Sequence, residues 1–131
     1  MGVAQTKAAQ ELIKTDIEMS SHRLISLLMA GALERVEQAK VCIHDGNHED
    51  TTILVQKIVA IVHGLQASLN YESGGEIAIN LSALYDYMLD NLEAAQDSKA
   101  LLAALSEINT LICEIKDGWD RIVTPEQAIA C

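Results

Sequence analysis

Apolar residues recur at steps of three and four along most of this chain, and that period predicts helices rather than strands. Ile25, Leu28, Ala32, Val36, Ala39 and Ile43 mark a first helix from about Ser21 to Ile43. Ser20 or Ser21 is placed to cap its start, and Asp45-Gly46-Asn47 supplies a stop and a turn. A second helix from about Asp50 to Asn70 carries two stripes. Leu54, Ile58, Ile61, Leu65 and Leu69 form one; Val55, Val59 and Val62 lie beside it. A third follows Ser73-Gly74-Gly75-Glu76, where Ser73 and Glu76 have capping-box spacing, with Ile77, Leu81, Leu84, Met88, Leu92 and Ala95 as its stripe. Gln96-Asp97-Ser98 breaks it and can cap the next helix. The fourth is the most regular. Leu101, Leu105, Ile108, Ile112, Ile115, Trp119 and Ile122 alternate steps of four and three, a heptad seam ending at Thr124-Pro125.

Short connections make consecutive helices antiparallel neighbours. The expected fold is all-α, an antiparallel up-down four-helix bundle over 20–124. Residues 1–19 form a short helix or mobile arm, and 125–131 a flexible tail. With 131 residues the chain suits one domain with one core. Aromatic residues make up 3% of it and Phe is absent, so Leu, Ile, Val, Ala and Met must fill that core.

The net charge of −10 argues against nucleic acid, which is bound by Lys and Arg, and against an anionic membrane surface. Cys42, Cys113 and Cys131 are scattered and odd in number, which fits free thiols in a reducing compartment. The start of the chain lacks the basic-then-apolar pattern of a signal peptide, and no apolar run has the length of a membrane span. A cytoplasmic location is expected.

Catalytic and metal patterns are weak. No pair of Glu-x-x-His motifs is present for a di-iron bundle, and no zinc ligand set. His44 and His48 beside Asp45, Glu49 and Asp50 read as a solvated acidic turn. Cys113 falls inside the heptad helix and reads as a small packed residue. Val62-His63-Gly64-Leu65-Gln66 loosely resembles the phosphorylated histidine region of phosphotransfer bundles, but Gln66 and Ala67 stand where that family has a lysine and a glycine. No enzyme and no cofactor are expected.

Excess apolar surface is the functional signal. The second helix has two stripes where a bundle needs one, and the third has Ala78, Tyr85 and Leu89 beside its main stripe. Mid-helix Gly31, Gly64 and Gly118 each cost about 1 kcal/mol relative to Ala, which suggests close backbone approach or a hollow. Two-sided burial and an apolar groove open to a partner helix both account for the stripes.

The order of residues goes further. Gly74-Gly75-Glu76-Ile77-Ala78, Asn80-Leu81 and Leu84-Tyr85-Asp86-Tyr87-Met88 closely resemble the central signature of the flagellin export chaperones, the FliS family. Leu24-Ile25, Leu27-Leu28 and Gly31-Ala32-Leu33 resemble its first helix. Leu65 and Ser68-Leu69 stand in the expected places before the signature, and Trp119 with Ile122 resembles the end of the last helix. Met29-Ala30 stands where many members have Tyr-Asp, and residues 1–19 lack the tyrosines common in the family's N-terminal arm.

The resemblance implies a non-enzymatic cytoplasmic bundle. Its partner would be the disordered C-terminal segment of flagellin, held in hydrophobic grooves against premature polymerisation until export, with the export apparatus as a further partner. Ile58, Val62, Leu65, Leu69, Ile77, Asn80, Leu81, Leu84 and Tyr85 are the expected groove residues, with Asn80 either bonding a partner backbone or capping a kink. A bundle serving some other protein, and phosphotransfer through His63, are the competing readings.

Overall fold

The computed structural model describes residues 3–122, and side chains from Ser21 onward. Among the described residues five helices follow one another: α1 (Val3–His44), α2 (His48–Ala67), the single turn α3 (Tyr71–Gly74), α4 (Glu76–Ala94) and α5 (Ser98–Asp120). The four long ones form a closed ring in which α1 packs on α2 and α5, and α4 on α2 and α5. His22 meets Trp119, Gln66 meets Ser82, and Tyr87 meets Glu107, so neighbours run antiparallel as expected. The protein is an all-α bundle.

Each turn has a local cause. Gly46 takes φ 74°, a left-handed conformation that costs other residues a steric clash, and so ends α1. The Asp50 amide donates to the Asn47 side chain at 3.1 Å, capping α2, and the Ala100 amide donates to Asp97 at 2.7 Å, capping α5. The expected capping box at Ser73 and Glu76 does not form. The Ser73 amide instead donates to Asn70, which caps α3, and α4 starts from Gly75 at φ 50° with no side-chain cap. Nor does α1 begin at Ser20 or Ser21. It is continuous from Val3, because Ala4, Ala8, Ala9, Glu11 and Leu12 are good helix formers and no Gly or Pro interrupts them before Gly31. The stop expected at Thr124-Pro125 and the tail 125–131 lie outside the described residues, as do the side chains of 1–19.

The core is aliphatic, as the composition requires. Met29, Ala32, Val36 and Ala39 of α1 meet Ile58, Val62 and Leu65 of α2, Tyr85, Met88 and Leu92 of α4, and Ala104, Leu105, Ile108 and Ile112 of α5. On α4 the buried row is Ala78, Tyr85, Met88 and Leu92, with Leu81 half-buried against the core. That row is turned from the expected one, since Ile77 is 70% exposed. Both rows share Leu81, Met88 and Leu92. Burying Tyr85, the bulkiest residue of α4's apolar rows, removes more apolar surface from water than burying Ile77.

Gly31 has the close approach expected of it, with Arg35 and Ile61 within 4 Å of an added Cβ, but Gly64 and Gly118 face open space. Gly118→Ala is therefore expected to stabilise the fold by about 0.5–1 kcal/mol, read as a higher urea midpoint.

A reciprocal clasp ties α1 to α5. His22 Nε2 donates to the Trp119 carbonyl at 2.7 Å, and Trp119 Nε1 donates to the His22 carbonyl at 2.8 Å. Their rings stack at 4.8 Å. Beside them, Ser26 and Lys116 both donate to the Asp120 carboxylate at 2.6 Å, and these bonds, Lys116 first, hold its pKa below the usual carboxylate range. A carboxyl lowered in the fold lends its stabilisation in full above about pH 4 and loses it as pH falls through the lowered value. Trp119 is the single tryptophan and sits next to Asp120. Its emission is expected to shift below about pH 4, and an Asp120→Asn variant is expected to lack that step.

Candidate functional site

The double stripe of α2 resolves into one inward face and two open flanks. Ile58, Val62 and Leu65 point into the core. Val55 and Val59, one turn apart, join Leu89 of α4 as the floor of an α2/α4 groove of about 490 Å³. His63 edges it on the α2 side, and Asp86, Asp90 and Glu93 on the α4 side. On the other flank, Ile53 and Leu54 join Val41 and Cys42 of α1 in an α1/α2 groove of about the same volume, edged by Gln38, Asp50 and Lys57. A third concavity lies by the clasp, lined by His22, Leu24, Ile25 and Trp119.

Water meets apolar side chains along these features. Val41 and Leu24 are more than half exposed, and Ile53 nearly so. Such flanks suit a helical segment laid along the bundle, whose own apolar stripe they would cover.

Gln66 holds the α2/α4 spacing. Its Nε2 donates to the Ser82 carbonyl and hydroxyl at 3.1 Å and to Asp86 Oδ1 at 2.7 Å. This commitment also bears on phosphotransfer. The residue standing where a phosphate-binding cation is needed is a neutral amide tied to α4, and the His63 edge faces three carboxylates that would repel a phosphoryl group.

The residues expected to line a groove divide three ways. Ile58, Val62, Leu65 and Tyr85 are core, at most 2% exposed, so in this conformation they offer a partner no surface. Burial pushes the Tyr85 hydroxyl pKa up, which keeps it neutral. Leu69, Leu81 and Leu84 are half-buried, while Ile77 and Asn80 are open to water on the first turns of α4. The structure brings together instead Val55, Val59 and Leu89, and Val41 with Ile53 and Leu54. The second stripe of α2 and the extra apolar flank of α4 carried the signal for Val55, Val59 and Leu89; Leu54 belongs to the first stripe of α2, and Val41 and Ile53 fall in no stripe.

Among the described residues Cys42 and Cys113 are free thiols, no cluster of His, Cys, Asp and Glu is arranged to hold a metal, and no helix is long and apolar enough to cross a membrane. His44, Asp45, His48, Glu49 and Asp50 are all exposed, as a solvated turn requires.

Comparison with known proteins places this bundle. The family model described as flagellar protein FliS matches residues 4–126. The chain is 41% identical over 105 residues to the flagellar secretion chaperone FliSB of Pseudomonas aeruginosa, covering 80% of this chain and 82% of that one. It is 34% identical over 117 residues to the flagellar secretion chaperone FliS of Vibrio cholerae, covering 87% and 85%. With the FliS of Salmonella typhimurium it shares 36% over 104 residues, covering 79% and 76%. These relatives are chaperones and not enzymes, and neither is this protein an enzyme. Built as a four-helix bundle with apolar flanks, and matched from residue 4 to residue 126, the chain belongs to the FliS family of flagellar proteins.

Proposed function

We propose that this protein is a cytoplasmic flagellar export chaperone that binds the disordered C-terminal segment of flagellin, one to one. Binding keeps the segment from polymerising early and presents the subunit to the export apparatus. The observation that carries the reading is the pair of apolar grooves flanking α2 on a member of this family. A partner that folds on binding must recover its ordering cost from buried apolar area. Such coupled folding typically buries about 1,000–3,000 Å². Two grooves on opposite flanks of one helix let an extended segment use both by passing around the bundle, and so bury more than either groove alone allows. The α4 start exposes further apolar side chains, Ile77 and Ile79, with Asn80 beside them.

Calorimetric titration with the C-terminal segment of flagellin from the same organism tests the reading. Saturable one-to-one binding with a clearly negative heat-capacity change is the expected result. Absence of heat across several temperatures would remove flagellin as the partner and direct the search to other proteins.

A further inference from the structure

We infer that the α2/α4 groove selects a helical segment whose apolar stripe is edged by Lys or Arg on the side facing α4. The inference deepens the chaperone reading and rests on it. Asp86, Asp90 and Glu93 stand at positions i, i+4 and i+7 of α4, one face of the helix spanning about 10 Å. All three are exposed and, among the described residues, none is in an ion pair; Asp86 accepts one hydrogen bond from Gln66. They line the same groove whose floor is Val55, Val59 and Leu89, so an apolar stripe seated there brings its flanking residues against the carboxylates. A helix carrying cations at the matching spacing would pair with all three, whereas one carrying Asp or Glu there would meet like charge.

The other two large concavities do not have this bias. The α1/α2 groove sets Lys57 against Asp50, and the concavity by the clasp is lined by no Lys, Arg, Asp or Glu. The sign difference therefore distinguishes the two flanks of α2 and would fix which part of a wrapping segment lies on which side. Rim charges act chiefly on encounter rate and on the choice of partner, and their effect fades with salt.

The test uses the full-length protein and the C-terminal segment of flagellin from the same organism, with a second peptide in which its Lys and Arg residues are replaced by Gln. Asp90→Asn/Glu93→Gln removes two rim charges and spares Asp86 with its Gln66 bond. Glu34→Gln/Glu114→Gln removes the same charge from exposed positions away from the three concavities and controls for the net charge of the chain. At low salt the rim variant is expected to bind the native segment about 3- to 10-fold more weakly than the wild type, with the gap closing as salt is raised. The remote variant should change binding by less, and the Gln-substituted peptide should bind both proteins alike. Equal weakening by the rim and remote variants, or no weakening by either, would overturn the inference while leaving the chaperone reading intact. No binding of the native segment to the wild type at any salt would overturn both.

Discussion

An Ile58→Ala variant is expected to lose about 3 kcal/mol of stability, seen as a drop of roughly 10 °C in the circular-dichroism melting midpoint. Ile58 is completely inaccessible and packs among Val62, Leu65 and the inner residues of α1, α4 and α5. Removing its outer carbons strips contacts from all of these and leaves a cavity the neighbouring helices only partly close. At a temperature where the variant remains folded, its affinity for the flagellin segment should stay within a few-fold of the wild type, because no Ile58 atom faces either groove. A midpoint within about 2 °C of the wild type, together with a large loss of binding, would instead place Ile58 at the partner surface. Leu65→Ala should behave as Ile58→Ala does, and concordance between two buried residues two turns apart on one face would fix the inward side of α2.

That experiment addresses the point at which sequence and structure part company. The stripes of α1, α2 and α5 were legible because a core row in a shallow-angle bundle must repeat at steps of three and four. Ala32, Val36 and Ala39, and Leu105, Ile108 and Ile112, are buried as that period requires. On α4 the period was right and the rotation was not, because two rows share Leu81, Met88 and Leu92, and period alone does not choose between Ile77 with Leu84 and Ala78 with Tyr85. The groove was harder still. Val55 and Val62 are chemically identical on the same helix, yet one floors a groove and the other is core, a difference set by where α4 lies and not by either side chain. The helix ends differ from the expected ones where several residues compete to cap. Asn70 takes the Ser73 amide, so the Ser73/Glu76 spacing has no cap to make, and Ser20 and Ser21 sit in a run of strong helix formers that carries α1 through them. The family signature was legible because it depends on residue identity in order, which the packing ambiguity does not touch.

The grooves themselves are best challenged without altering charge or core. Replacing both Val55 and Val59 by Gln is expected to weaken flagellin-segment binding by about 30-fold or more, while the melting midpoint changes by only a few degrees. Both valines are half-buried, so each gives up part of its apolar contact. Gln is the better helix former, which offsets some of that loss on an accessible face. The partner loses more. Two adjacent β-branched residues form the α2 side of the floor, and polar amides there must be desolvated without a partner when an apolar stripe covers them. A penalty of about 2 kcal/mol, ordinary for the centre of an interface, corresponds to the 30-fold loss. The substitutions leave Asp86, Asp90 and Glu93 in place, so the salt dependence of the residual binding should survive. Ile53→Gln makes the matching test of the α1/α2 groove. If the valine pair proves silent and Ile53→Gln abolishes binding, the segment docks on the α1 flank alone. If each weakens binding and their combination weakens it by the product, the segment spans α2 and occupies both grooves at once.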